Sequence, residues 1–283
     1  MPVCYRHPGR ETYIRCNRCE RPICPDCMTS AAVGFQCPEC VAEGRASVPA
    51  ERSVLGTKVP TKPYVTYAII ALNVIAFGYE FLVGQNAAAQ RWSMSGVNVA
   101  VFDEYYRLVT SMFLHYGLLH IGFNMLVLFM LGPSLEHTLG HVRFTVLYLV
   151  AGLGGAVASF WFTDPLAQAG GASGAIFGLM GAYVVVGKRL RADISQVVSL
   201  IVLNIALGFV IPNTDWRAHL GGLVTGAAVG AVMAFAPQRS RILVQVVGVL
   251  AIVAVLAVLV VVRDQTLTAQ LVDAGVIPPS LGR

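Results

Sequence analysis

Residues 218–230, AHLGGLVTGAAVG, place a histidine at the head of an apolar segment in which glycine recurs at every fourth position. A second stretch, residues 170–182, has the same spacing of small residues around a serine, GGASGAIFGLMGA. Small residues four apart lie on one face of a helix and allow two helix backbones to pack closely. The two stretches therefore predict a pair of tightly packed helices that bring Ser173 close to His219.

The composition of the chain is typical of a membrane protein. Of its 283 residues, 56% are hydrophobic and 12% are charged, whereas roughly 25% of the residues of a soluble domain are charged. The net charge of +5 is spread over the ends of apolar segments, a pattern that sets membrane orientation and argues against a nucleic-acid partner. Seven apolar segments are long enough to cross the lipid bilayer as helices. They are predicted at about 64–83, 114–131, 143–162, 172–187, 194–211, 216–235 and 242–262.

The loops between these segments predict an orientation with the N-terminus in the cytosol. The first forty residues lack the basic-then-apolar pattern of a signal peptide. If the N-terminus lies in the cytosol, most loop cations face the cytosol as well. The three tryptophans then fall at the outer interface, where indole rings are enriched. The cations are Arg143, Lys188, Arg189, Arg191, Arg239 and Arg241, and the tryptophans are Trp92, Trp161 and Trp216. We therefore expect a multi-pass protein of the plasma membrane.

The first forty residues contain all seven cysteines of the chain. With one histidine they form four pairs, each separated by two residues: Cys4 and His7, Cys16 and Cys19, Cys24 and Cys27, and Cys37 and Cys40. Each pair can supply two corners of a tetrahedral zinc ion, so the four pairs predict two closed, structural zinc sites. An interleaved arrangement joins the first pair with the third and the second with the fourth. A sequential arrangement of neighbouring pairs is the alternative.

The spacing of these pairs resembles that of a B-box-type zinc finger, a family that usually ends in a histidine pair where this chain has Cys37 and Cys40. The resemblance implies a small zinc-binding domain over residues 1–40. A cytosolic protein is the class of partner expected for such a module. Residues 41–63 mix proline, glycine and charge without apolar periodicity and are predicted to form a linker.

Four polar side chains lie inside the predicted membrane segments, where burial is costly and indicates function. They are His120, Asn124, Ser173 and His219. In the predicted orientation, all four lie in the outer half of the bilayer at similar depth. A serine hydroxyl becomes a nucleophile when a base at about 3 Å accepts its proton, which suits Ser173 and His219. His120 and Asn124 share a helix face, from which both can donate hydrogen bonds to an oxyanion.

A third catalytic side chain is not evident, because the acidic residues near the apolar segments are all predicted to lie at an interface. They are Glu80, Asp103, Glu104, Glu136, Asp164, Asp193 and Asp215. A Ser–His dyad is therefore favoured over a triad. Two other protease classes are excluded. The string HTLGH at 137–141 lacks the glutamate of a metalloprotease, and Lys188, the only lysine after Lys62, is predicted at the cytosolic end of its helix.

Three motifs together resemble those of the rhomboid intramembrane serine proteases. They are H-x-x-x-N from His120 to Asn124, G-x-S-G from Gly171 to Gly174, and A-H-x-G-G-x-x-x-G from Ala218 to Gly226. The resemblance, across residues 64–235, implies Ser173 as the nucleophile, His219 as its base, and His120 and Asn124 with backbone N–H groups as the oxyanion hole. It also implies cleavage of single-pass transmembrane proteins at or near the outer membrane face, with no cofactor for catalysis.

Two further features extend this resemblance. Residues 104–107, EYYR, resemble a motif in the family's first loop, with Tyr106 where tryptophan is usual. Phe177 matches a position from which an aromatic ring, often a tyrosine, stacks against the histidine.

We therefore predict an all-α membrane protein, a rhomboid-like six-helix bundle plus one C-terminal transmembrane helix, preceded by a small zinc-binding domain. The expected parts are the zinc-binding domain 1–40, the linker 41–63, the bundle 64–241, the seventh helix 242–262 and an outer-side tail 263–283. Two alternative functions are a haem-binding or transport protein, with His120 and His219 as ligands, and an inactive rhomboid-like binding protein.

Overall fold

The computed structural model describes residues 2–47, 53, 55–56, 60–210 and 214–278. The chain divides between residues 51 and 52 into two compact units. Parts of the predicted linker 41–63, the end of the predicted segment 194–211 and the end of the predicted tail 263–283 lie outside the described residues.

The described part of the N-terminal unit contains two small antiparallel hairpins, one α-helix and a short 3-10 helix at Pro25–Cys27. The strands are β1 (Val3–Cys4), β2 (His7–Glu11), β3 (Thr29–Ser30) and β4 (Phe35–Gln36), with β1 paired to β2 and β3 to β4, and the helix is α1 (Pro38–Ser47). Six cysteines and Ile23 form its buried cluster. A core this small is typical of units that fold together with a bound metal.

The described part of the C-terminal unit is helical, and helices form at all seven predicted membrane segments. In chain order the helices are α2 (Tyr64–Val83), α3 (Gln85–Trp92), α4 (Gly96–Ala100), α5 (Arg107–Thr110), α6 (Leu118–Leu139), α7 (His141–Phe162), α8 (Ser173–Leu190), α9 (Ser195–Val210), α10 (Trp216–Phe235) and α11 (Arg241–Asp273).

Five helices in the described residues are long and apolar enough to cross a membrane, namely α2, α6, α7, α10 and α11. The other two predicted segments lie on shorter or less apolar helices. Of these, α9 has 16 residues, and α8 has 18, with Lys188 and Arg189 in its last turn.

The centre of the bundle is the packing of α8 against α7 and α10. A methyl group on Gly222 would collide with the carbonyl oxygen of Gly174, and one on Gly226 would collide with the carbonyl of Gly178. The two helix backbones are therefore in direct contact at these glycines. This packing confirms the close helix pair predicted from the spacing of small residues.

The helix α6 differs from the predicted segment 114–131 at both ends. It begins only after Gly117, whose φ of 130° does not belong to a helix, and it continues to Leu139. Its last turns include Glu136, which was predicted near a membrane interface and whose side chain is buried within the protein. The Glu136 carboxylate accepts the backbone N–H groups of Val65 at 2.9 Å and Thr66 at 2.8 Å. A buried carboxylate thus binds the free N–H groups at the start of α2.

The last helix, α11, extends to Asp273, well beyond the predicted end at 262, so most of the predicted tail is helical. The hydropathy of the sequence predicts that the membrane segment ends before the polar stretch 263–266, RDQT. The helix continues because Leu267 and Leu271 pack with Met94 and residues of α4. Tertiary packing outside the apolar segment therefore determines where the helix ends.

The predicted linker also contains ordered structure. The helix α1 runs through its first residues to Ser47, and Leu55 is 5% exposed in the core of the C-terminal unit. The backbone carbonyl of Leu55 accepts a hydrogen bond from the Arg241 guanidinium. Leu55 therefore joins the described part of the linker around it to the C-terminal unit, through a buried side chain and a charge-assisted hydrogen bond.

Candidate active site and metal sites

The side chains of Ser173 and His219 meet where α8 and α10 pack together. Ser173 is the first residue of α8, and His219 lies in the first turns of α10. The His219 Nε2 atom is 2.9 Å from Ser173 Oγ. The two groups are thus within hydrogen-bond distance, as required of a nucleophile and the base that accepts its proton.

The imidazole of His219 is held by an aromatic ring. The Phe177 ring, one turn after Ser173, stacks on it with centroids 4.2 Å apart and an angle of 9° between the planes. The stacking fixes the plane of the imidazole. This geometry is the one predicted for Phe177 from the family resemblance.

The other imidazole nitrogen, His219 Nδ1, is buried and has no hydrogen-bond partner among the described residues. The nearest acid in sequence, Asp215, caps α10 by accepting the Ala218 N–H at 3.1 Å. Its carboxylate also accepts the hydroxyl of Ser159 on α7. The role of Asp215 visible in these contacts is to fix the start of α10, the helix that carries His219.

A second imidazole, that of His120 on α6, faces the same space. Its Nδ1 accepts the Tyr116 backbone N–H at 3.3 Å, so the neutral ring carries its hydrogen on Nε2. The position that a Cβ atom would take on Gly171 is 3.0 Å from His120 Nε2 and 3.5 Å from Ser173 Oγ. Both side chains therefore border the small space beside Gly171.

The side-chain amide of Asn124 lies one turn further along α6. Its Nδ2 donates to the His120 carbonyl at 2.9 Å, which leaves one of the two amide hydrogens for another acceptor. The residue is 7% exposed. Its position on the same helix face as His120 is the one expected from the four-residue spacing.

The loop before Ser173 is held by backbone hydrogen bonds. The Gly171 N–H donates to the Ser111 carbonyl at 2.8 Å, and Met94 and Ala169 exchange two backbone hydrogen bonds at 3.0 and 2.8 Å. Gly171 has φ of 141° and little space for a side chain beside the His120 ring. A glycine is therefore needed at this position for both reasons.

The EYYR segment binds the residue next to Met94, the partner of Ala169 in this loop. Arg107 is 5% exposed, and it donates to the Glu104 carboxylate at 2.6 Å and to the Ser93 carbonyl at 2.8 Å. The Tyr106 hydroxyl donates to the same carboxylate at 3.1 Å. The sequence indicated this segment only through its resemblance to a family motif.

Comparison with known proteins relates the chain to one family. The family model described as "Rhomboid domain" matches residues 103–236. The protein named "Putative rhomboid protease YdcA" from Bacillus subtilis (strain 168) is 33% identical over 171 residues, which cover 58% of this chain and 85% of that protein. The chain belongs to the rhomboid family.

Other relatives are longer than the region they share with this rhomboid. "Rhomboid protease GluP" of Bacillus subtilis (strain 168) is 37% identical over 173 residues, 34% of its own length. "RHOMBOID-like protein 6, mitochondrial" of Arabidopsis thaliana is 36% identical over 143 residues, 46% of its length. The chain thus spans between about a third and a half of these two proteins.

The family and the five long apolar helices together make this rhomboid an integral, multi-pass membrane protein. The matched residues 103–236 include Ser173, His219, His120 and Asn124. The Cys-rich N-terminal unit and the whole of α11 lie outside the match.

The eight metal-ligand candidates of the N-terminal unit gather in two groups of four. One group is Cys4, His7, Cys24 and Cys27, and the other is Cys16, Cys19, Cys37 and Cys40, with all candidate ligand atoms of a group within 4.8 Å of one another. This is the interleaved arrangement. The Cys19 and Cys37 sulfurs are 3.7 Å apart, close to the spacing of about 3.8 Å for two thiolates on one tetrahedral zinc ion.

Positive charge and N–H groups surround the second cysteine group. The Arg21 guanidinium donates to Cys19 Sγ at 3.2 Å, and the Cys37 N–H donates to Cys16 Sγ at 3.2 Å. The Arg21 side chain, with its backbone N–H, holds the pKa of the Cys19 thiol below its usual value. Because thiolates are the form that binds metal, these donors favour metal binding by this group.

Proposed function

We propose that this rhomboid is an intramembrane serine endopeptidase with Ser173 as the nucleophile and His219 as the general base. The observation that carries the proposal is the distance of 2.9 Å between Ser173 Oγ and His219 Nε2. It is supported by the stacking of Phe177, which fixes the imidazole plane. For Nε2 to accept the serine proton, the neutral imidazole carries its own hydrogen on Nδ1.

The reaction proceeds by acyl transfer. Ser173 Oγ attacks the carbonyl carbon of the substrate peptide bond as its proton passes to His219 Nε2. The imidazolium then gives that proton to the leaving amine, so the C–N bond breaks and an acyl ester on Ser173 remains. Water attacks the ester with His219 again as base, which releases the carboxylate product and restores the serine.

The oxyanion formed in both steps is stabilised by donors beside Gly171. The Nε2 atom of His120 faces this space. It carries the ring's hydrogen, because Nδ1 already accepts the Tyr116 N–H. The remaining amide hydrogen of Asn124 and backbone N–H groups at the start of α8 are the other donors in the proposal. Donors fixed before the reaction stabilise charge at no cost of reorientation.

The proposed substrates are single-pass transmembrane proteins, cut at or near the outer membrane face. The support is the position of the four site residues near the starts of α6, α8 and α10, which are the outer ends in the predicted orientation. A protease must bind its scissile bond in extended form, so helix-breaking residues near the cut favour cleavage. In this orientation the N-terminal unit lies in the cytosol, and the plasma membrane is the proposed location of the protein.

The metal proposed for the N-terminal unit is zinc, with one ion in each group of four. Cysteine and histidine ligands in tetrahedral sets with no position left for water are typical of structural zinc. The two ions hold this unit folded, and the unit is the proposed site for a cytosolic protein partner.

The proposal is tested with a transmembrane reporter protein. Ser173→Ala and His219→Ala each abolish cleavage in the proposed mechanism, while Ser199→Ala and His137→Ala, at exposed positions on α9 and α6, retain it. Near-normal cleavage by either site variant contradicts the dyad. A haem absorbance band in the purified protein, with cleavage unaffected by Ser173→Ala, would favour the haem-binding alternative instead.

A further inference from the structure

The C-terminal end of α11 lies beyond its apolar, membrane-spanning stretch and packs against other parts of the C-terminal unit. Residues 263–273, which we name the clamp, follow the apolar stretch of α11. Within the clamp, Leu267 is 2% exposed and Thr268 is 6% exposed, whereas many apolar residues of the preceding stretch, such as Leu250 at 60%, are exposed. The clamp therefore buries specific side chains against the rest of the unit.

The clamp binds the segment of residues 94–100, here named the first-loop segment. Thr268 Oγ1 donates to the Ala100 carbonyl at 3.2 Å, and Leu267 forms one buried cluster with Met94, Val99 and Ala100. At Gly96, a Cβ atom would lie 3.1 Å from Leu267 Cδ2 and 2.9 Å from Pro165 Cα. The clamp and the loop that contains Pro165 thus hold the first-loop segment from two sides.

The first-loop segment is in turn bonded to the loop that ends at Ser173. Val97 donates its N–H to the Pro165 carbonyl at 3.0 Å, and Met94 and Ala169 exchange hydrogen bonds at 3.0 and 2.8 Å. Ala169 is only four residues from the serine. A continuous series of packed and hydrogen-bonded groups therefore connects the clamp with the Ser173 loop.

A third contact fixes the clamp to α7. The Arg263 guanidinium donates to the Phe160 carbonyl at 3.1 Å and lies over the Trp161 ring, 5.7 Å from its centroid. Phe160 belongs to the same buried cluster as Leu267. The clamp is thus anchored to a helix of the bundle at one end and to the first-loop segment along its length.

We propose that the clamp positions the Ser173 loop for catalysis, with Leu267 as the principal positioning residue; this inference rests on the proposed function. The first-loop segment and the clamp both lie outside the region 103–236 matched by the family model. A displacement of about 1 Å at a reacting group can cost on the order of 10²-fold in rate. Loosening the clamp therefore reduces turnover without removing any group that touches the substrate.

The test uses the full-length protein in detergent and compares single variants. Leu267→Ala removes the packing, Leu267→Met keeps most of it, and Leu250→Ala is the same change at an exposed position of the same helix. Thr268→Val removes only the hydrogen bond to Ala100. For each variant, the rate of Ser173 labelling by a fluorophosphonate and the kcat and KM for a transmembrane reporter are measured well below its unfolding temperature.

We expect Leu267→Ala to lower kcat and the labelling rate about tenfold to 10²-fold with KM unchanged. Leu267→Met restores most of the rate, Leu250→Ala matches the wild type, and Thr268→Val shows a smaller loss. A folded Leu267→Ala protein with wild-type labelling overturns the proposal, as does an equal loss in Leu250→Ala. If Leu267→Ala does not fold, Thr268→Val is the deciding variant. Wild-type rates of labelling and cleavage in Thr268→Val also overturn the proposal. Cleavage that survives Ser173→Ala contradicts the proposed function instead, so the two failures are distinguishable.

Discussion

At the scale of single residues, hydrogen bonds assign different roles to the two imidazoles. The Nε2 atom of His219 lies at hydrogen-bond distance from Ser173 Oγ. In the proposed mechanism it must be an acceptor, because it takes the serine proton. The Nδ1 atom of His120 already accepts a backbone N–H, so its Nε2 is a donor. One histidine is thus arranged to accept a proton and the other to donate a hydrogen bond. The sequence analysis predicted the same two roles from spacing and family resemblance, but it could not predict the tautomer of either ring.

The role of Asn124 can be separated from simple packing by a matched pair of variants. We expect Asn124→Ala to lower kcat on the order of 10²–10³-fold, because an oxyanion donor acts mainly in the transition state, with little change in KM. Asn204 on α9 makes the same kind of bond, from its amide to the Leu200 carbonyl at 2.8 Å, so Asn204→Ala is the control. Steady-state kinetics with the reporter measure both. An effect confined to KM would assign Asn124 to substrate binding.

At the scale of helices, the contact between α8 and α10 depends on glycine at defined positions. We expect Gly222→Ala to destabilise the protein by roughly 1–3 kcal/mol, because its methyl group would meet the backbone of Gly174 rather than a movable side chain. It should also slow the labelling of Ser173, since the base and the nucleophile lie on the two helices that are forced apart.

The control for this prediction is Gly78→Ala on α2, where an added Cβ atom has no neighbour within 4 Å. That change should leave stability unchanged or raise it by up to about 1 kcal/mol through helix propensity. Thermal unfolding in detergent measures both proteins. Equal unfolding temperatures for Gly222→Ala and the wild type would mean that the helices are not held at this contact.

The ends of the helices show how far hydropathy predicts the fold. The segment predicted at 64–83 coincides with α2, because its apolar run ends at a proline on one side and a glycine on the other. The last helix exceeds its prediction because Leu267 packs on a distant segment. The short helices α3, α4 and α5 were not predicted, since their residues lack a long apolar run and are held by tertiary contacts.

Over the full chain, more of the site could be predicted from the sequence than of the contacts that support the site. The spacing of His120 and Asn124 and the small residues around Ser173 and His219 are local patterns that a sequence displays. The hydrogen bonds between Met94 and Ala169 join residues far apart in the chain, so no local pattern encodes them. The hydrogen bonds from α2 to the Glu136 carboxylate also join residues far apart in the chain, so the sequence did not predict them. The division into domains and the catalytic roles remain predictions.

The two units of the chain should respond differently to loss of metal. We expect a chelator to release about two zinc ions per chain and to unfold the N-terminal unit alone, since ligation and folding are one event in such small units. A shortened protein that begins at residue 52, and so retains Leu55 in the core of the C-terminal unit, should still be labelled at Ser173. Metal analysis, circular dichroism and probe labelling measure these effects. A shortened protein that is folded but inert toward both probe and reporter would show that the N-terminal unit is part of the working enzyme.

Covalent labelling is the direct test of whether His219 activates Ser173. The purified protein in detergent is treated with a fluorophosphonate, and the modified residue is identified by mass spectrometry. We predict a single adduct on Ser173, absent in Ser173→Ala and lost in folded His219→Ala, because the hydroxyl is a weak nucleophile without its base. An adduct on a different serine, or labelling of Ser173 at the wild-type rate in His219→Ala, would contradict the account.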